Sequence, residues 1–313
     1  MNTNKHKTAQ PVKDSKEKLQ EWENMLVGKD KHSIRNQIQN MIRDSAVFRC
    51  INESRKYAAK DDKGNIKQNG MIHYFIDQSF FKTQLLSIRK LVDKDFNRVQ
   101  QNKPYTVYSL YNLIEDMKKN KALLTRKNDL AAYNLPYDYE KAIADLDKNT
   151  DYTKGAVIVP PEIARSRDVH SRIDSMAGIA ADKRSPDDLV LNDNSFKCFD
   201  DWLKNSQKLY DYVNKYIAHS ATPESRKVIP DEIEGALGEV LNAHKIICET
   251  ASFIGNNLLF CGFGVFLPPP RYGQFDQFDL FEYLDEPIAS KETTEKLKEF
   301  WEKYRTETEQ WCK

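Results

Sequence analysis

The chain has 313 residues, enough for one large hydrophobic core or two smaller ones. Hydrophobic residues make up 40% and charged residues 30%, a balance too polar for a membrane protein and too apolar for a disordered chain. Because 48 Lys and Arg nearly cancel 47 Asp and Glu, the overall charge excludes a strong field for nucleic acid, and any such binding requires a local patch.

Apolar residues recur at steps of three, four and seven through most of the chain, which is typical of amphipathic helices. Glycine and proline are scarce, with 11 and 12 residues, and this favours long helices. The predicted helices, in chain order, span residues 15–27, 33–59, 71–93, 105–121, 137–148, 161–177, 196–218, 230–258 and 291–311. Residues 156–159 are expected to form a short extended piece.

The expected organisation is an all-α bundle of long antiparallel helices with a helical insertion. Residues 1–13 are predicted to be a disordered tail, and residues 14–129 the N-terminal part of the bundle. Residues 130–193 form the expected insertion, 194–262 a helix pair, and 263–313 an aromatic loop followed by the C-terminal helix. The aromatic loop is expected either to close over its own lobe or to bind a protein partner.

Motifs for common cofactors are missing from the sequence. There is no P-loop, GxGxxG, HExxH, GxSxG or EF-hand pattern, and the cysteines and histidines are scattered, so no cofactor or metal is expected. The N-terminus lacks the apolar core of a signal peptide, which predicts a cytoplasmic protein. The most apolar run, residues 258–267, is too short to span a membrane, so no membrane association is expected.

Two histidines lie on predicted helices in different settings. His244 falls within the apolar stripe of its helix and is therefore predicted to be a hydrogen-bonded core residue. His219 lies at a helix end, on a polar face offset from the stripe of Val213 and Ile217. It is a candidate for proton transfer, or alternatively a simple C-terminal cap that gains from the helix dipole.

The segment from Asn214 to Ser220, Asn-Lys-Tyr-Ile-Ala-His-Ser, resembles the signature of the HEPN superfamily of helical nucleotide-binding domains, particularly its abortive-infection-like branch. Looser resemblance extends to residues 87–93, to residues 170–174 and to the helix after Pro230. The resemblance implies a homodimer in which two motifs face one cleft. In active members it implies metal-independent RNA cleavage, with the histidine assisting proton transfer and an arginine stabilising the scissile phosphate.

The sequence departs from this pattern at the arginine, whose position is occupied by the apolar Val213. Lys208, Lys215 and Arg89 are the candidates to replace its charge, although lysine lacks the planar fork of arginine. The hypothesis is an RNA-directed defence or toxin-type factor, in which His219 transfers protons and Asn214 orients the substrate or the histidine. The alternative is a non-catalytic HEPN-like interaction module, such as a subunit of a defence complex.

A second cluster of basic residues lies on one predicted helix. It comprises Arg165, Arg167, His170 and Arg172, which together predict a local patch for RNA or nucleotide phosphate. A solvated helix face, with these residues paired to Asp168 and Asp174, explains the same pattern.

Overall fold

The computed structural model describes residues 5–65, 70–94, 98–100, 103–105, 107–148, 159–218, 237–269 and 291–312. The fold is all-α, as the periodicity predicted, apart from one short antiparallel hairpin. The helices are α1 (Lys5–Val27), α2 (Ile34–Arg55), α3 (Gly70–Leu91), α4 (Leu110–Lys119), α5 (Arg126–Ala132), α6 (Tyr139–Lys148), α7 (Pro161–Ala177), α8 (Asp193–Tyr212), α9 (Leu237–Phe253) and α10 (Lys291–Gln310). Over these ranges, none of the helices is long and apolar enough to cross a membrane.

The hairpin pairs β1 (Arg98–Gln100) with β2 (Lys103–Tyr105) and places Val99 opposite Pro104. It occupies a stretch that the sequence predicted to be a loop running into the next helix. The extended piece expected at 156–159, all but its last residue, lies outside the described residues, as does the aromatic loop from residue 270 to residue 290.

The N-terminal segment differs from its prediction. Helix α1 begins at Lys5, so most of the expected disordered tail is helical. Lys, Ala and Gln are good helix formers, and the apolar side of the following turns anchors the helix, since Trp22 and Leu26 are fully buried. A polar composition alone therefore did not indicate disorder here.

The chain forms two compact units, each built from two separate stretches. Unit 1 comprises Met1–Met25 and Leu113–Asp201, and unit 2 comprises Leu26–Asn112 and Trp202–Lys313. The expected insertion, residues 130–193, lies within unit 1, whereas the expected N-terminal part, 14–129, is divided between the units.

The core of unit 2 contains antiparallel helices α2 and α3. Phe48 and Phe80 stack with ring centroids 3.7 Å apart, and towards the other end of the pair Arg55 donates to Asp77. The buried position predicted for His244 is confirmed, because this side chain on α9 is fully buried. Its two ring nitrogens, however, have no hydrogen-bond partner among the described residues, and burial lowers its pKa to about 3.

Within the described residues, two helices continue into a wider, π-helical turn. A first π segment (Val213–Ala218) continues α8, and a second π segment (Ile254–Leu258) continues α9. Such turns are rare and frequently occur at functional sites. The first of them contains residues 214–218, the described part of the stretch that resembles the HEPN signature.

Candidate functional site

The first π segment meets the C-terminal turn of α3 within unit 2. Arg89 Nε donates a hydrogen bond to Asn214 Oδ1 at 2.5 Å, joining residues that are 125 positions apart in sequence. The guanidinium carbon of Arg89 also lies 5.5 Å from the centre of the Tyr210 ring. The structure therefore brings together Arg89 and Asn214, two of the four candidate catalytic residues.

Local helix geometry explains how α8 and its π segment hold Arg89. Tyr210 and Asn214 are four residues apart, so their side chains lie on the same side of the helix, one turn after the other. Between them, Val213 is fully buried and anchors the backbone in the core of unit 2. The apolar residue at the position expected for the motif arginine thus has a packing role, and a cation from α3 lies beside the same segment.

The electrostatic state of Arg89 follows from its partners. The Asn214 amide and the Tyr210 ring are both uncharged, so neither contact neutralises the guanidinium. Arg89 is also only partly buried, which leaves it in contact with solvent. A partly exposed guanidinium with uncharged partners can bind phosphate, for which its planar fork is well suited.

Lys215 and a pair of tyrosines lie on the same segment. Lys215 is partly buried, and the contacts described for Arg89 and Asn214 do not include it. The rings of Tyr212 and Tyr216 stack 4.7 Å apart at an angle of 20°. Lys215 is therefore a second cation near Asn214 in sequence, and its predicted contact with phosphate stays a prediction.

His219 lies immediately after the first π segment and outside the described residues. Its predicted role in proton transfer, and the alternative role as a helix cap, both stay predictions. Asn214 has a described partner in Arg89, and its predicted role in orienting the substrate or this histidine stays a prediction.

The predicted basic patch on α7 is divided between surface and interior in unit 1. Arg165, Arg167 and Arg172 are exposed, and for these three residues phosphate binding stays a prediction. His170 is buried, and burial lowers its pKa, so its ring is neutral. Its Nε2 lies 2.9 Å from the carbonyl oxygen of Tyr137 and its ring therefore serves the interior of unit 1.

The alternative interpretation of α7, a solvated face paired with acidic residues, fits the contact between Arg167 and Asp168. Arg167 Nε lies 4.0 Å from Asp168 Oδ1, and both side chains are exposed. Asp174, in contrast, turns towards a buried arginine of α5. The sequence suggested a surface pair for Asp174, but its tertiary partner is 48 residues away in sequence and was not anticipated.

That buried arginine, Arg126, is the centre of an ionic cluster that the sequence did not reveal. Its side chain is fully buried, and it donates to Asp188 at 2.9 Å and to Asp174 at 2.7 Å. Arg184 donates to the other oxygen of Asp174 at 2.6 Å, and Arg126 Nη1 lies 3.0 Å from His170 Nδ1. In the sequence, Arg126 stands among polar residues and resembles an ordinary surface arginine.

The electrostatics of this cluster are those of a closed ion-pair network. Burial by itself would raise the pKa of Asp174, but hydrogen bonds from Arg184 and Arg126 outweigh it and lower that pKa below its ordinary value. His170 Nδ1 accepts from Arg126, so its ring proton resides on Nε2 and is donated to the Tyr137 carbonyl. The positive charges of its arginines are matched by the negative charges of its aspartates, and the role of the cluster is therefore structural.

Asp129 on α5 is a second titratable group that the sequence did not single out. Burial raises its pKa to about 7, and the nearby Arg165 only partly offsets this effect. A carboxyl whose pKa is raised this strongly either lowers the stability of the fold or has a functional role.

Comparison with known proteins adds no relative. The chain matches no protein-family model, and neither a curated protein nor a solved structure is significantly similar to it. Across the described residues, no group of three or more His, Cys, Asp or Glu side chains is arranged to hold a metal ion. The geometry around Arg89 is therefore the feature of this chain that bears on its function.

Proposed function

We propose that this protein is an RNA-directed defence or toxin-type factor with a HEPN-like bundle, in which Arg89 replaces the cation missing at Val213. The observation that carries the proposal is the hydrogen bond from Arg89 to Asn214. It brings a partly exposed guanidinium, whose described contacts are to uncharged groups of the chain, to the segment that resembles the HEPN signature. A phosphate-binding group is what that signature requires and what Val213 does not offer.

The proposed chemistry is metal-independent cleavage of an RNA phosphodiester. The neighbouring 2′-hydroxyl gives up its proton and its oxygen bonds to phosphorus, the bond from phosphorus to the 5′-oxygen breaks, and the leaving 5′-oxygen takes up a proton. His219 is the group proposed to move protons, and Arg89 is proposed to bind the non-bridging oxygens as their negative charge increases. Two copies of the chain, each contributing one motif to a shared cleft, form the proposed cytoplasmic assembly.

The first test is cleavage of single-stranded and structured RNA by the purified protein, with and without a chelator. We expect Arg89→Ala to reduce the cleavage rate by about 100-fold or more, the effect typical of losing one charge-stabilising donor. Cleavage should not depend on the chelator. A full rate in Arg89→Ala would refute the assignment of the cation, and a full rate in His219→Ala would refute the proton-transfer role.

Arg43 offers a matched control for Arg89. It is exposed on α2, and its Nη2 donates to the side-chain oxygen of Asn40 at 3.1 Å. Arg43→Ala therefore removes an arginine bound to an asparagine amide on a different helix from Arg89. We expect this variant to cleave RNA at the wild-type rate. A lower cleavage rate in Arg89→Ala would then be due to the position of that arginine and not to the change in net charge.

A non-catalytic interaction module is the alternative, and a specific surface of α3 favours it. Tyr74 and Phe75 are 67% and 71% exposed, which is unusual for neighbouring aromatic residues. If the wild type binds no RNA but self-associates in sedimentation experiments, and Phe75→Lys abolishes that association, this alternative is the better description. An RNA-cleaving wild type unaffected by Phe75→Lys favours the first proposal.

A further inference from the structure

We infer that Tyr210 and Asn214 are positioning residues that fix the plane of the Arg89 guanidinium, so that its two Nη groups face a single RNA phosphodiester. This inference rests on the proposed function and goes beyond it, because it assigns a role to Tyr210 and changes the role of Asn214. Asn214 acts through Arg89 and does not contact the substrate in this arrangement.

The hydrogen bond to Asn214 fixes the direction of the Arg89 guanidinium. A guanidinium is planar, and its five N–H groups point in fixed directions. Once Nε is bound to Asn214 Oδ1 at 2.5 Å, the direction of the end that carries both Nη groups is fixed as well. Two parallel N–H groups at that end match two non-bridging oxygens of a phosphodiester.

The Tyr210 ring restrains the plane of the Arg89 guanidinium. The guanidinium carbon lies 5.5 Å from the ring centre, within the range of a cation–π contact. A hydrogen bond at Nε alone leaves the plane free to rotate about that bond, whereas a ring against the guanidinium restrains the rotation. Together the two contacts define both the direction and the plane of the fork.

The two described partners that hold Arg89 are uncharged. An aspartate at position 214 would bind Nε more strongly than asparagine does, and the Arg126 cluster shows that this protein uses such pairs where an arginine is structural. Asparagine and tyrosine instead hold Arg89 without cancelling its charge. The choice of neutral partners therefore suits an arginine that must attract an anion.

The experiment measures the binding of a fluorescein-labelled single-stranded oligouridine over a series of salt concentrations. Asn214→Asp keeps the hydrogen bond but neutralises Arg89, so we expect about tenfold weaker binding and a melting temperature that is unchanged or higher. The slope of log affinity against log salt should fall by about 0.7, the value for one lost phosphate contact on a single strand. A purely structural role for Asn214 would leave this slope unchanged.

Conservative variants and a matched control complete the test. Tyr210→Phe retains the ring and should bind as the wild type does, whereas Tyr210→Leu should bind about threefold or more weakly. Asn40→Asp places the same substitution beside Arg43 on α2, and should leave both affinity and salt slope unchanged. Wild-type binding in Tyr210→Leu would overturn the role of Tyr210, and wild-type binding in Asn214→Asp would overturn the inference as a whole.

The two proposals fail in distinguishable ways. Loss of binding in Arg89→Ala together with normal binding in Asn214→Asp overturns the positioning roles and leaves the proposed function standing. Normal binding in Arg89→Ala overturns both. The ¹⁵Nε–H resonance of Arg89 gives a readout that needs no RNA: it should exchange slowly in the wild type and rapidly in Asn214→Ala, and equal exchange rates in the two proteins would contradict the inference.

Discussion

Arg126 in unit 1 and Arg89 in unit 2 are both held by side chains from distant segments, but in opposite electrostatic states. Arg126 is fully buried and bound to the carboxylates of Asp174 and Asp188. Arg89 is partly exposed and bound to an amide and a ring. Burying a charge requires a matching charge, whereas attracting a ligand requires that the charge remain uncancelled. The partners of an arginine, more than its sequence context, thus indicate its role.

The largest expected effect comes from Arg126. Arg126→Met should destabilise the protein by about 5 kcal/mol, the upper end for a broken buried ion pair, because two carboxylates lose their counter-charge. Urea unfolding followed by circular dichroism measures this loss. Arg167→Ala, an exposed arginine of the same unit, should change stability by no more than about 0.5 kcal/mol. A loss below about 1 kcal/mol for Arg126→Met would contradict the structural role of the cluster.

The next largest effect on stability comes from Asp129, a buried carboxyl that is not part of the ionic cluster around Arg126. Burial raises the pKa of Asp129 from 3.8 to about 7, so the folded state favours its protonated form. The contribution to folding is therefore most favourable at low pH and weakens as the pH rises from about 4 to 7, by roughly 4 kcal/mol in total. Asp129→Asn should unfold at higher urea than the wild type at about pH 8, and this advantage should shrink at about pH 5.

Asp182, an exposed carboxyl of unit 1, offers the control for this pH dependence. Asp182→Asn should follow the wild type at both pH values. If Asp129→Asn is no more stable than Asp182→Asn at the higher pH, the environment of Asp129 is more polar than its burial suggests.

The smallest effect on stability is expected at Arg89. Arg89→Ala removes one hydrogen bond and one cation–π contact at a partly exposed position, so the free energy of unfolding should fall by about 1 kcal/mol or less. The same urea experiment serves here. A loss of stability as large as that for Arg126→Met would show that Arg89, like Arg126, has a structural role.

Periodicity predicted the elements of this fold with most success where a helix carries a continuous apolar stripe. Helices α2 and α3 begin and end close to their predicted bounds, and the burial of His244 followed from its place in such a stripe. The prediction was wrong over the first residues of α1, where a polar segment is helical. Composition alone does not separate a polar helix from a disordered tail, because both lack an apolar face.

The candidate site was predicted only in part. The resemblance directed attention to Asn214, and the misfit at Val213 led to Arg89 as one of several candidate cations. The sequence contained no signal for Tyr210 as a partner of Arg89, nor for the ionic cluster around Arg126. The partners lie on other helices or, for Arg184 and Asp188, on a connecting segment, and helical periodicity does not state which segments become neighbours.

The amino-acid sequence by itself determined that this protein is all-α and which side of most helices is buried. Both follow from local spacing, since neighbouring turns of a helix must present apolar side chains to the same side. Only the tertiary structure decided that Arg126 is bound by carboxylates and that Arg89, within the described part of the chain, contacts an amide and a ring. That outcome depends on contacts across 125 residues for Arg89 and across 48 and 62 residues for Arg126, and such contacts are set by the packing of whole helices.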